Sequence, residues 1–349
     1  MKAPLHGVRI VEFEGIGPGP LAGRMLADMG AEVTVVTRFQ PGAVNQRLGG
    51  GSGAPLREVK RVVALDLKAA DGVAAALDLV AAADALIEGN RPGVMERLGL
   101  GPGDCAARNP RLVYGRMTGW GQSGPLAHAA GHDLNYVALT GLLSLAGRPG
   151  ALPIVPPTVL GDASGALGLA FGIVCALVDA RASGRGRVVD AAIVDIVAML
   201  GTLVQWIRGA GQLDNPALAS PFHDSPFYDV YECADGGRIT LCALEPQFYA
   251  QLLARLGLDD VDTAAQYDRA QWPALKSRLA GLFRSRPRAA WCELLEGSDA
   301  CFAPVLSIAE AARHPHMVAR GVYAVEPSGA LRVAAAPRLE PLPVPAPRG

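Results

Sequence analysis

GVRIVEFEGIGPGPLAGRMLADMGAEVTVVT, residues 7–37, decides the fold class. GVRIVEF is a short, nearly continuous apolar run. Such runs mark strands buried on both faces, as in parallel sheets. GIGPGP then turns the chain, and prolines are well placed in the first turn of a helix, where φ is already helical and the missing N–H costs nothing. LAGRMLADMG reads as that helix and AEVTVVT as a second buried strand. A strand, a crossover helix and a strand of these lengths join two parallel strands.

The same alternation continues down the chain. RVVALDL (61–67), ALIEG (85–89) and RLVYGRM (111–117) read as strands; DGVAAALDLVAAA (71–83) and the short RPGVMERLGLG (91–101) read as helices. Repeated β–α alternation predicts an α/β domain, a mostly parallel sheet covered by helices. Three helices follow, over 134–145, 163–179 and 192–208, with a brief strand RVVDA (187–191) before the third. Residues 212–225 turn polar and proline-bearing, like a linker. FYDVYEC (227–233) and RITLCAL (238–244) then flank ADGG, a hairpin signal, and helices are expected over 246–256, 272–283 and 288–295. This pattern describes a second, smaller α/β unit, and the proline-rich C-terminus is expected to run over the surface.

Composition limits the function classes. The 349 residues are half hydrophobic and carry 32 Lys plus Arg against 33 Asp plus Glu, a formal net charge of −1. That balance argues against nucleic-acid binding. The six cysteines are scattered without a CxxC pair, which suits reduced thiols in a cytoplasmic protein, and HPH at 314–316 has no neighbouring ligand cluster, so no metal is expected. No signal peptide is expected, since the first residues run into a strand. The most apolar stretch, Ala163 to Val178, is shorter than a usual membrane span and reads as a buried core helix.

Two segments carry acid/base chemistry. GHDLNY (131–136) opens a helix, so His132 stands where backbone N–H groups are unsatisfied and the dipole is positive. A neutral imidazole there is a base, and the open N–H groups are donors for a developing oxyanion. Taken alone, His132 fits a structural or exposed helix-start histidine better than a base. Asp133 is placed to cap that helix, and Tyr136, four residues beyond His132, lies on its face. LGDASG (160–165) puts Asp162 at another helix start, where it suits either a proton-transfer group or an N-cap. Glu245 ends an apolar strand and precedes Pro246, so it is a helix-start charge or a carboxylate that orients an imidazole.

Gly17-Pro18-Gly19-Pro20-Leu21-Ala22 fits G-x-G-x-x-A, a dinucleotide signature. Its two prolines remove donors a pyrophosphate would need, and Arg38 stands where a ribose-binding acid is expected. Arg38 and Arg91 both follow strands, and such consecutive basic strand ends favour an anionic ligand, a phosphorylated ribose among them. GGGSG (49–53) lacks the Lys-Ser/Thr of a phosphate loop and reads as a flexible loop or lid.

Taken together, VRIVEFEGIGPGPLAGRMLADMGAEV, VVALDLK, ADALIEGNRPGVMERLGLGP, RLVYGRMTGWGQSGP, GHDLNY, LGDASG, GRGRVVDAAIVD, YDVYECADGG, ALEPQFY and SDACFAPVL span nearly the whole chain. The sequence resembles the family III CoA-transferase (CaiB/BaiF-type) superfamily, and GHDLNY, LGDASG and ALEPQFY resemble its α-methylacyl-CoA racemase branch. The resemblance implies a Rossmann-like large domain over 1–190 completed by the tail 311–349, a linker helix and loop over 191–224, and a small α/β domain over 225–310. It implies an interlocked homodimer acting on an acyl-CoA, with no cofactor besides the CoA of the substrate. It implies His132 and Asp162 as the acid/base pair, with Glu245 approaching the histidine from the other chain. CoA contacts are implied at Arg38, Leu65, Asp66, Leu67, Lys68, Arg91, Arg97, Gly131, Asp133 and Tyr136. The implied reaction is inversion of the α-carbon of a 2-methylacyl-CoA; in the transferase branch the residue matching Asp162 is instead a nucleophile. Some racemases line the acyl site with several methionines, whereas residues 193–207 here contain only Met199, so an acyl site of different size or flexibility is expected.

Overall fold

The computed structural model describes residues 2–40, 55–148, 151–215, 217–326 and 329–342; the GGGSG loop lies outside the described residues. Strands β1 (Arg9–Phe13), β2 (Glu32–Thr37), β3 (Arg61–Ala64), β4 (Ala85–Glu88), β5 (Val113–Thr118) and β6 (Val188–Ala192) form one sheet in the order β3-β2-β1-β4-β5-β6. All its pairings are parallel. The strand order reverses between β1 and β4, and ligands of open α/β sheets bind beyond the strand carboxyl ends at that point.

The inner strands β1, β2, β4 and β5 are buried on both faces because each face meets helices, while the edge strand β3 is largely exposed. Ile10 and Val33 join a core with Ala22 and Leu26 of α1 (Pro18–Asp28), while Val11 and Phe13 join the opposite core with Ala76 and Val80 of α2 (Ala70–Ala81). Two short helices follow β4, α3 (Val94–Arg97) and α4 (Pro102–Arg108). The second is absent from the sequence reading, its seven residues too short to show a period. After β5 come α5 (Asp133–Leu139) and the long α6 (Ser164–Ser183); α7 (Ile193–Leu200) follows β6.

Several boundaries differ from expectation. The helix expected over 134–145 ends at Leu139 and resumes as a 3-10 turn at Leu142–Leu145, after Gly141. The helix expected over 163–179 is preceded by a π-helical turn, Val159–Ala163, and runs on to Ser183, where Gly184 adopts the left-handed conformation that ends helices. α6 is also not buried all round. Leu169, Ile173 and Leu177 pack on the sheet side, while Leu167, Phe171 and Val178 are exposed. Val159–Ser183 is long and apolar enough to cross a membrane, yet its packed face belongs to the main core.

The chain divides into two compact units, the first running to Gly201 and taking up the tail from Ala334, the second Thr202–Val333. The first therefore extends past the expected boundary at 190, because Ile193 and Val197 of α7 are buried in its core. The helix expected over 192–208 breaks at Gly201, and α8 (Thr202–Gly209) opens the second unit. There β7 (Tyr228–Glu232) and β8 (Arg238–Cys242) form the expected hairpin. α9 (Pro246–Leu256), α10 (Trp272–Phe283) and α11 (Arg288–Leu295) have the bounds read from sequence. Tyr249, Trp272, Phe283 and Trp291 fill this unit's core. β9 (Phe302–Val305) adds antiparallel to β8. β10 (Tyr323–Val325) and β11 (Leu331–Val333) pair with each other, so the stretch from 311 to 333, expected with the large domain, belongs to the second unit.

Candidate active site

The GHDLNY segment folds as a braced helix start. His132 is the extended N-cap residue of α5; its N–H donates to Asn135 Oδ1 at 3.0 Å and its carbonyl accepts the Asn135 N–H at 2.7 Å. Those bonds hold the backbone and leave the exposed imidazole without a hydrogen bond to any described residue. The Tyr136 hydroxyl donates to the Gly131 carbonyl, and its buried ring meets Trp120 edge-on with centroids 4.7 Å apart. Tyr136 thus closes the turn that presents His132.

Asp162 does not cap a helix, against one of its two sequence readings. It lies within the π-helical turn, and its carboxylate accepts no capping bond. Instead its own N–H donates to Asp133 Oδ1 at 2.8 Å. Burial pushes the Asp162 carboxyl up to about 6; the nearby Asp133 charge adds to that rise, and His132 opposes it. A carboxyl so placed carries a proton for part of the time at neutral pH.

Asp133 is the surprise of the segment. Its carboxylate leaves its own helix and accepts three main-chain N–H groups of the other turn, from Thr158 at 3.0 Å, Gly161 at 3.1 Å and Asp162 at 2.8 Å. A Cβ at Gly161 would stand 2.4 Å from Asp133 Oδ1, so the close approach requires glycine there. On the other side, a Cβ at Gly17 would stand 3.1 Å from Asp162 Oδ2, and Gly17 has φ +68°. The glycine-proline loop after β1 thus makes room for the Asp162 carboxyl.

These groups line one cavity of about 660 Å³ in the first unit, with Gly17, Arg91, Trp120, His132, Tyr136 and Asp162 on its wall. Phe13, Ile87 and Met117 from the ends of β1, β4 and β5 form its floor. It therefore occupies the switch point of the sheet. The EGNRPG loop that carries Arg91 is anchored beneath it. Arg116 on β5 pairs with the fully buried Glu88 at 2.9 Å and with Glu96 at 2.8 Å, and Glu88 also accepts the Asn90 N–H at 2.7 Å. Burial pushes the Glu88 carboxyl up from its ordinary value, and the bonds from Asn90 and Arg116 pull against that.

Of the residues expected at the site, the cavity wall brings together Arg91, Gly131, His132, Asp133, Tyr136 and Asp162. Arg38, Leu65, Asp66, Leu67, Lys68 and Arg97 are not on it. Arg38 and the Leu65–Lys68 stretch follow the carboxyl ends of β2 and β3, with Arg38, Asp66, Lys68 and Arg97 exposed. Leu65 and Leu67 pack half-buried against the second core. Glu245 is the exposed N-cap residue of α9 in the second unit, and its side chain makes no capping bond. Sequence reasoning missed Trp120, whose indole N–H is buried on the cavity wall without a partner among the described residues, and the Glu88–Arg116 pair. A charged residue inside each of two apolar strands, ALIEG and VYGRM, was the available signal.

The profile of CoA-transferase family III matches residues 5–348. The chain belongs to CoA-transferase family III. Among family members, α-methylacyl-CoA racemase of Mus musculus is 42% identical over 314 residues, 89% of this chain and 80% of that protein. Acetyl-CoA:oxalate CoA-transferase of Acetobacter aceti is 30% identical over 336 residues, 92% of this chain and 85% of that one. The crystal structure of Rv3272 from M. tuberculosis superposes with a TM-score of 0.80 at 27% identity, covering 97% of this chain and 93% of that one. Family III membership makes the protein an enzyme of acyl-CoA chemistry, and the level of identity to the mouse protein favours the racemase side of the family.

Proposed function

We propose that this family III enzyme inverts the α-carbon of 2-methylacyl-CoA thioesters by proton transfer through an enolate. The observation that carries the reading is the pairing of His132 with a carboxyl held near pH 6, Asp162, on the wall of one cavity. An imidazole nitrogen of His132 takes the α-proton from one face, and the C–H electron pair moves into the thioester carbonyl. Protonated Asp162 then delivers a proton to the other face as the carbonyl reforms. The reverse epimer uses the two groups in exchanged roles. Each contributes a general acid/base factor of roughly 10²–10⁴.

The enolate oxygen needs donors. No described residue accepts the N–H of Asp133 at the start of α5, and the buried indole N–H of Trp120 is also unpartnered. Preorganised donors of this kind are worth about 2.7–4 kcal/mol each in a water-poor site. Arg91 on the wall suits a CoA phosphate. Arg38, Lys68 and Arg97, without ion-pair partners among the described residues, extend the same preference around the sheet edge, with Leu65, Asp66 and Leu67 beside them. Glu245 acts on His132 from the second chain of a homodimer, and the exposed Leu167, Phe171 and Val178 of α6 offer apolar surface for that association.

Incubating one epimer of a 2-methylacyl-CoA in D₂O tests the reading: epimerisation with α-deuterium incorporation is expected, followed by NMR and chiral analysis. A His132→Ala variant that exchanged at the wild-type rate would remove the assigned base. The transferase chemistry named in the Acetobacter relative supports a second reading, in which Asp162 attacks the thioester carbonyl and expels CoA thiolate. Hydroxylamine trapping of an acyl adduct at Asp162, without α-exchange, would establish it instead.

A further inference from the structure

The side chain of Asp133 has no assigned part in the reaction above, which uses only its N–H. Yet it joins the two halves of the site. Its backbone belongs to α5, one residue after His132, and its carboxylate accepts the N–H groups of Thr158, Gly161 and Asp162 at 2.8–3.1 Å. The turn it holds is unusual. Ala163 N–H reaches back to the Thr158 carbonyl at 2.9 Å, a bond spanning five residues, and Thr158 has φ +64°. A β-branched residue rarely adopts that conformation unless the surroundings impose it. Three donors converging on one carboxylate are such an imposition.

We propose that the Asp133 carboxylate is a positioning residue that clamps the Asp162 turn to the His132 helix, so that both proton-transfer groups face one cavity. Its catalytic consequence rests on the racemase reading; the clamp does not. The groups that act electrostatically on Asp162 are few. Among the described residues these are Asp133, the His132 imidazole and the Tyr136 hydroxyl, while Gly17, which faces the carboxyl from the loop before α1, is uncharged. Removing the Asp133 charge therefore removes the negative neighbour that favours protonated Asp162.

Asp133→Asn keeps the shape and one acceptor oxygen but loses the charge; Asp133→Ala loses the clamp. The test is a ¹³C-carboxyl NMR titration of Asp162 in wild type and both variants, alongside the pH dependence of α-exchange. In Asp133→Asn, Asp162 is expected to titrate below its value of about 6, and the limb of the exchange profile set by Asp162 moves to lower pH with it. In Asp133→Ala, kcat is expected to fall on the order of 10²-fold, with KM changed far less, because a small misplacement of a reacting group has that effect. A clamp serving stability alone would lower Tm without moving the titration, and an unchanged Asp162 titration in Asp133→Asn overturns the proposal even where Asp133→Ala does not fold. If the wild-type protein exchanges no acyl-CoA, the racemase reading fails and the titration still decides the clamp.

Discussion

Asp162 shows how one residue sets function against stability. Its carboxyl is raised from the ordinary 3.8 to about 6, so between those values the native state binds more protons than the unfolded chain. Stability then declines as pH rises through that window, and the penalty is complete above it. Asp162→Asn should therefore melt higher than wild type at pH 7 and alike at pH 4, in parallel thermal scans. The same substitution should lower α-exchange by roughly 10²-fold or more, since one of the two proposed proton-transfer groups is gone. A variant no more stable at pH 7 would mean that the carboxylate is better solvated than its surroundings imply. In sequence, Asp162 was legible as a helix-start carboxylate suited to proton transfer or to capping, with nothing to raise its proton affinity. Its neighbours Gly17 and Asp133 lie 145 and 29 residues away, and only their approach raises its proton affinity.

At the scale of elements, the parallel strands and the loop that carries Arg91 to the cavity are tied by buried charge. Glu88 ends β4, Arg116 lies on β5, and both are buried. Removing one partner of such a pair leaves the other charge uncompensated, at about 3–5 kcal/mol. Glu88→Ala should lose about 3 kcal/mol in urea unfolding, the low end of that range, because Arg116 keeps its bond to Glu96. Arg91 lies on the loop that Glu88 anchors through Asn90, so KM for the CoA ester should rise as well. Strands and long helices were legible because their apolar periods repeat. The π-helical turn was not, since a carboxylate from another element holds it in place. Nor was the break at Gly201, where an apolar run continues through a change of helix.

For the whole molecule, α6 carries information that its composition hides. Its residues are apolar around the full circumference, which reads as a buried helix. In the single chain one face packs and the other is exposed, with Phe171 70% exposed. A second copy of the chain is the proposed cover. Light scattering after size exclusion should then give twice the 36.2 kDa chain mass. Phe171→Glu should shift the protein toward monomer or aggregate and reduce exchange, because Glu245 would no longer reach its proposed partner. A fully active monomer would sink both the dimer and the role given to Glu245.

The sequence by itself determined the α/β class, the strand and helix order, the family, and the identities of His132 and Asp162 as the acid/base candidates. Apolar periodicity, caps and motif residues are local properties, so they are written along the chain. The tertiary structure alone decided that Asp133 serves the other helix, that Gly17 clears space for a carboxyl, and that Arg91 joins the cavity wall while Arg38 and Lys68 do not. Those outcomes depend on which strand carboxyl ends are neighbours. Strand order is a property of the folded sheet, and no local stretch of sequence contains it.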